Sequence, residues 1–196
     1  MQNVLIINGH QPFPSSSGRL NKAFVERATE HLRSRSFNVR IVKTSEPWDV
    51  DEEVENQLWA DHLLLQFPLN SMSVPWSLKR YLDEVYTAGM DGRLAIGDGR
   101  TRSNPDKQYG SGGLLGEKTY SLSVTLNAPR AAFSDPTQTL FDGRSLDDLL
   151  SSVHINFEFF DLKRRETFAA YDVSKNPQIE RDFELFDAHM AQITSR

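Results

Sequence analysis

Apolar positions fall into two alternating patterns along the chain: short unbroken runs, and stripes repeating every three or four residues. Val4, Leu5, Ile6 and Ile7 form an unbroken run, as in a strand buried on both faces. Leu20, Phe24, Ala28 and Leu32 then recur at the spacing of an amphipathic helix. Phe37, Val39 and Ile41 alternate with Asn38 and Arg40, predicting a second strand. A helix with Val54 and Leu58 inward follows, opened by Asp49, Asp51 and Glu52, acids that favour a helix N-terminus. His62 to Phe67 carries Leu63, Leu64 and Leu65 and stops at Pro68, a third strand. Pro75 suits the first turn of a helix bearing Leu78, Leu82 and Val85.

The remaining elements continue the alternation. Tyr120, Leu122, Val124 and Leu126 share one face of a fourth strand, and Ser121, Ser123 and Thr125 share the other. A polar face is unusual in a central strand; it either packs under small side chains or lies beside a bound polar ligand. Leu146, Leu149, Leu150 and Val153 predict a fourth helix, Glu166 to Tyr171 a last strand, and Ile179, Phe183, Phe186, Met190 and Ile193 a closing helix. Five strands and five helices in this order predict an α/β fold: a flavodoxin-like, doubly wound, five-stranded parallel sheet with strand order 2-1-3-4-5. Two stretches show little periodicity, from about Gly89 to Glu117 and from Asn127 to Gly143. Loops of that length in a compact domain are usually functional or disordered, and both flank the fourth strand, which favours function.

Composition narrows the chemistry. With 196 residues the chain suits a single domain spanning 1–196, large enough to bury a core without staples. It has no cysteine, which removes disulfides, iron–sulfur clusters, thiolate zinc and cysteine nucleophiles. The net charge of −5 argues against a globally basic nucleic-acid binder. No apolar run approaches the ~20 residues of a membrane helix, so a soluble, cytoplasmic protein without a membrane span is expected.

In a doubly wound sheet ligands bind beyond the carboxyl ends of the strands, where strand order reverses. That directs attention to Gly9–Gly18, Pro68–Val74 and Asn127–Phe133. The first loop carries Ser15, Ser16, Ser17 and Gly18 directly before a helix. Hydroxyls beside free helix amides make a phosphate cradle, whereas a single serine there would be an ordinary helix cap. Neither G-x-G-x-x-G nor a P-loop follows the first strand. Gly110, Ser111, Gly112 and Gly113 form either a turn or a binding nest. His31, His62, His154 and His189 read as structural, no histidines stand at metal spacing, and no metal site is expected. His10 alone sits in the candidate phosphate loop, to bond a ligand or tie the loop together. No convincing acid/base pair emerges, which points to a cofactor carrying the chemistry.

Five motifs in order, LIINGHQPFPSSSGRLN, LWADHLLLQFPLNSMSVPWSLKRYLDEV, DGRTR, YGSGG and TLNAP, resemble the modulator of drug activity B family. The likeness is close to about Phe133 and looser beyond. It implies a flavodoxin-like NAD(P)H:quinone oxidoreductase: a homodimer holding FAD, taking NAD(P)H as co-substrate and reducing quinones by ping-pong hydride transfer. By that resemblance Ser16, Ser17, Leu20 and Asn21 hold the pyrophosphate, with His10 beside them. Pro68, Leu69, Asn70 and Met72 line the isoalloxazine edge, and Thr125, Leu126 and Asn127 cover its pyrimidine side. Tyr109 is the expected catalytic contact; its hydroxyl and backbone amides near Leu69 and Asn70 would stabilise negative charge on the reduced ring. Trp76 and the two long loops are the expected dimer contacts. Leu69, Asn70 and Ser71 stand where the family has aromatics, and Leu126 where it tends to have Trp. The rival readings are a flavodoxin-like one-electron carrier and a regulatory protein that has lost flavin.

Overall fold

The protein is described over residues 2–194 by a computed structural model. Its elements run β1 (Asn3–Asn8), α1 (Arg19–Ser34), β2 (Asn38–Lys43), α2 (Val50–Trp59), β3 (His62–Pro68) and α3 (Trp76–Ala88). They continue with β4 (Thr119–Thr125), α4 (Leu146–Leu149), α5 (Ser151–Phe159), β5 (Lys163–Arg164), β6 (Phe168–Ala170) and α6 (Ile179–Thr194). The strands form one parallel sheet in the order β2-β1-β3-β4-β5, with β6 also paired to β4. This is the expected flavodoxin-like order.

The unbroken apolar runs arise because both faces of the central strands are covered. Leu5, Ile7, Leu63 and Leu65 pack under α2, α3 and α5, against Val54, Leu78, Val85 and Phe157. Val4, Ile6 and Leu64 point the other way, into a core with Phe24 of α1 and Phe186 and Met190 of α6. Phe24 is fully buried and meets Phe168, Phe183 and Phe186 edge-on, with ring centroids 5.4, 5.3 and 4.9 Å apart.

Four expectations need correction. The last strand is not one run from Glu166 to Tyr171 but two pieces. Between the Tyr120–Arg164 and Ser123–Phe168 pairs, β4 advances three residues while the edge advances four. One extra residue makes a bulge, which bends an edge strand away from edge-to-edge pairing. The fourth helix breaks at Leu150, and α4 carries its own capping box between Ser145 and Asp148. The break keeps Leu146, Leu150 and Val153 all buried. In β2 Ile41 is 42% exposed and Val42 is the buried residue, because an outer strand has its inward face only partly covered. Pro75, expected in the first turn of α3, sits one residue before it, as the N-cap.

The polar face of β4 is accounted for residue by residue. His62 on β3 bridges two of its hydroxyls, with Nδ1 2.8 Å from Thr119 Oγ1 and Nε2 3.0 Å from Ser121 Oγ. Ser123 Oγ donates to Gln66 Oε1 at 2.6 Å. Thr125, last in the row, reaches a surface cavity.

Burial, reinforced by repulsion from His189 and Arg165, pushes the pKa of His62 down to about 3 from an ordinary 6.5. The unfolded chain takes up this proton as pH falls through its ordinary value, whereas the folded protein refuses it until about pH 3. The His62 contribution is therefore complete above pH 6.5 and declines as pH drops towards 3. Urea unfolding at pH 7.5 and pH 5 is expected to show a loss on the order of 2 kcal/mol from this group. His62→Gln should flatten that dependence. An equal decline in the variant would assign the acid sensitivity elsewhere.

Candidate functional site

The loop from β1 to α1 delivers a helix whose first turn is left open. Gly18 is the N-cap of α1, no side chain caps the helix, and its first turn holds no acidic residue. The first bond into the helix runs from the Lys22 amide to the Gly18 carbonyl at 2.8 Å. The amides of Arg19, Leu20 and Asn21 consequently have no acceptor among the described residues. α3 and α5 also start without a side-chain cap, whereas Asp49 caps α2 and Ser145 caps α4. Of the uncapped starts, that of α1 opens at the carboxyl end of the sheet beside Ser16 and Ser17. An uncapped N-terminus concentrates donors and the positive end of the helix dipole, which suits an anion. The serines of this loop are therefore not the helix cap.

Gly18 is required by both conformation and space. Its φ is +74°, and a Cβ there would lie 2.4 Å from the His10 ring. His10 is thus seated directly against the helix start, with Nε2 3.5 Å from Ser16 Oγ. Burial lowers its pKa below the ordinary value, the Ser16 contact opposing this, so the ring is predominantly neutral at pH 7.

These groups line a cavity of about 1160 Å³. His10, Ser16, Ser17, Leu20 and Asn21 form one wall, Pro68, Leu69 and Asn70 a second, and Thr125, Leu126 and Asn127 a third. The carboxyl ends of β1, β3 and β4 thus bring together eleven of the expected site residues. Two tight turns rim it. Phe13 and Ser16 exchange backbone bonds of 3.1 and 2.9 Å, and Asn70 and Ser73 exchange two of 2.9 Å. The second turn has Ser71 at φ 47° and Met72 at φ 64°, a left-handed turn built without glycine.

Other expected roles change. The Leu69 amide already donates to the Thr125 carbonyl and the Asn70 amide to that of Ser73, so neither is free for a ligand. The amides of Ser71 and Met72, at the tip of the same turn, have no acceptor among the described residues. The Met72 side chain does not line the cavity and is 49% exposed. The Asn21 side chain is buried and bonded at both ends, to Asn8 and Gln66, so its part in the cavity is its backbone.

Tyr109 lies apart from this cavity. It rests on Phe159 at the end of α5, centroids 5.7 Å apart, with the Arg100 guanidinium 5.3 Å from its ring. The loop around it is fastened near the amino end of β5, where the Leu115 amide donates to the Phe160 carbonyl. Of the two long aperiodic stretches, only the start of Asn127–Gly143 reaches the cavity.

A further wall consists of Val173, Ser174, Pro177, Ile179 and Phe183, from the β6–α6 loop and α6. Ser174 Oγ donates to Asn127 Oδ1 at 2.6 Å, and the Val173 amide to the Leu126 carbonyl, which ties this wall to the end of β4. The signal was present in the sequence: this loop also follows the carboxyl end of a parallel strand.

The family model described as a flavodoxin-like fold matches residues 2–194. The NADPH:quinone oxidoreductase MdaB of Haemophilus influenzae is 38% identical over 191 residues, 97% of this chain and 98% of its own length. Among solved structures, a candidate quinone reductase from Klebsiella pneumoniae has a TM-score of 0.80 at 18% identity, covering 100% of this chain and 86% of that one. An FMN-dependent NADH-azoreductase from Bacillus anthracis, solved with FMN, has a TM-score of 0.69 at 14% identity, covering 100% of both chains. At such identities these two structures speak for fold alone. The fold and the open helix at its switch point define a flavodoxin-like protein. Within that class the chain belongs to the modulator of drug activity B family, and is an oxidoreductase of the flavoprotein type.

Gly18→Ala is expected to displace His10 and misdirect the first turn of α1. Flavin affinity, followed by quenching of flavin fluorescence, should fall at least tenfold. Unchanged affinity would mean that neither His10 nor this turn touches the cofactor.

Proposed function

We propose that the protein is an FAD-dependent NAD(P)H:quinone oxidoreductase that works as a homodimer. The observation that carries this reading is the uncapped start of α1, opening into a cavity large enough for a dinucleotide. Ligand pockets commonly run ~300–1,000 Å³, and this one, at about 1160 Å³, is somewhat larger. The FMN of the azoreductase neighbour makes the mononucleotide the natural competitor. FAD is favoured because the cavity continues past the α1 turn to Pro177, Ile179 and Phe183, an apolar wing suited to a second ring system.

In this reading the amides of Arg19, Leu20 and Asn21 donate to phosphate oxygens, aided by the hydroxyls of Ser16 and Ser17. Neutral His10 adds a polar ring without a second charge. Pro68, Leu69 and Leu126 supply an apolar floor that excludes water. The free amides of Ser71 and Met72 replace those of Leu69 and Asn70 as donors on the third-strand side. A bound flavin supplies hydride acceptance and donation there, which the side chains themselves do not. The chain's part is binding, orientation and dryness.

Tyr109 enters through the dimer. It is 64% exposed and belongs to a face with other uncovered apolar residues, Met90 at 40% and Ile155 at 62%. Pairing this face with another copy would cover it and offer Tyr109 of one protomer to the cavity of the other. Among the described residues no helix is long and apolar enough to cross a membrane.

The purified protein is expected to be yellow and to release FAD on heating, identified by chromatography. Release of FMN would discard the two-wing reading but keep the flavoprotein. A colourless protein that takes up neither flavin would overturn the proposal.

Steady-state rates with NAD(P)H and a soluble quinone are expected to give parallel double-reciprocal lines, since one cavity serves both in turn. Intersecting lines would require both substrates to bind together.

A further inference from the structure

Directly beneath the cavity lies a row of polar side chains, with Asn21, Gln66 and Ser123 buried and Asn8 half-buried. Asn8 on β1 is paired in register with Gln66 on β3, and Gln66 with Ser123 on β4. Gln66 and Ser123 are essentially without solvent exposure. Ser123 Oγ donates to Gln66 Oε1 at 2.6 Å, Gln66 Nε2 to Asn21 Oδ1 at 3.1 Å, and Asn21 Nδ2 to Asn8 Oδ1 at 2.6 Å. Asn8 Oδ1 also accepts the His10 backbone amide at 3.2 Å. Asn21 is the only helical member, reaching down from the first turn of α1.

The direction of this row follows from one end. A backbone N–H can only donate, so the Asn8 atom facing His10 must be oxygen. Asn21 must then present its NH₂ group to Asn8 and its oxygen to Gln66. Gln66 must present NH₂ to Asn21, leaving its oxygen for a donor, and the Ser123 hydroxyl is that donor. Each amide has one workable orientation. Two residues further along the same three strands stand His10, Pro68 and Thr125, all in the cavity wall. The row therefore lies one pleat repeat, about 6.6 Å, below the cavity floor.

We propose that Ser123, Gln66, Asn21 and Asn8 form a polarity-locked row that sets the first turn of α1 at its height above the sheet. Gln66 and Ser123 are thereby positioning residues for the phosphate-binding amides, although neither lines the cavity. Without the row, α1 would be held on the sheet mainly by apolar contacts, the half-buried Leu20 in the first turn and the buried Phe24, Val25 and Ala28 further along. Such contacts fix a helix face but tolerate sliding along the axis; directional bonds at Asn21 do not. The consequence is selective, because only the end of a ligand that meets the α1 amides should feel the loss.

The flavin part of this inference rests on the proposed function; the phosphate part does not. Ser123→Ala removes the terminal donor and leaves the buried Gln66 oxygen without a partner, which weakens the row at its β4 end, whereas Ser123→Thr keeps a hydroxyl. Gln66→Leu removes the link itself, and thermal unfolding shows whether each variant folds. Binding of FAD and of riboflavin, which lacks phosphate, is measured by fluorescence quenching on the flavin-stripped protein. Inorganic pyrophosphate is titrated in parallel, following the amide NMR signals of Arg19, Leu20 and Asn21. Expected for Ser123→Ala are an affinity for FAD and pyrophosphate about tenfold lower, an affinity for riboflavin within twofold of the parent, and recovery in Ser123→Thr. FAD and pyrophosphate affinities unchanged in folded Ser123→Ala and Gln66→Leu would overturn the proposal. So would an equal loss of riboflavin, which would mark a general loosening of the fold. A parent protein that binds pyrophosphate at these amides but no flavin would remove the proposed function and leave the row to be judged on pyrophosphate alone. A parent that binds neither would overturn both.

Discussion

The in-register parallel pairing of β1, β3 and β4 is the constraint on which the rest of the site depends. Parallel strands run their side chains in matched rows across the sheet. One row, the half-buried Asn8 with the buried Gln66 and Ser123, is bonded; the next on the same face, His10, Pro68 and Thr125, opens on the cavity. A slip of one residue in β3 would turn Gln66 into the opposite, apolar core and Phe67 into this one. The continuous burial of Leu63, Leu64 and Leu65 does not by itself forbid that slip, since leucine suits either face. The polar members of the strands do: His62 needs Thr119 and Ser121, and Gln66 needs Ser123 and Asn21.

On this frame several local irregularities stand at the cavity end, although left-handed residues also occur elsewhere, at Ser36, Ser134, Asp142 and Asp161 among others. Gly18 is left-handed at the start of α1, and Ser71 and Met72 are left-handed in the turn after β3. α1 begins without a side-chain cap, although capped helices are present elsewhere in the same chain. Each departure opposes local preference, and each faces the cavity or its rim. The apolar layers, in contrast, follow local preference closely, with Phe24 and its ring neighbours anchoring α1 and α6 on one side.

The cavity and Tyr109 lie towards opposite ends of the strands. The cavity sits at the carboxyl ends of the strands, and Tyr109 sits with Phe159 and Arg100 near the amino end of β5. No rearrangement of one chain's loops is needed to unite them if a second copy supplies the missing side. Such a pairing would also cover the exposed Met90 and Ile155. The aperiodic stretch around Tyr109 is ordered by small bridges such as Ala95 with Gly113, so it presents a shaped surface for such contact.

Most of the architecture was legible in the sequence, because a sheet covered on both faces demands unbroken apolar strands and striped helices. β1, β3, β4, α1 and α6 follow from that demand, and so does the location of the cavity at the strand ends. Ser16, Ser17, Pro68 and Thr125 could be placed there because the serines lie just before a recognisable helix and the other two end recognisable strands. What only the tertiary structure decided depends on pairing between distant residues. The bulge that splits β5 from β6 exists only as a mismatch with β4. The amides of Leu69 and Asn70 are unavailable because Thr125 and Ser73 accept from them, and a backbone amide carries no mark of its partner in the sequence. Asn21 likewise reads as a helix-start ligand until Gln66 and Asn8 are seen on either side of it. Periodicity reports which face a side chain is on; it does not report what stands opposite, and the site is made of those oppositions.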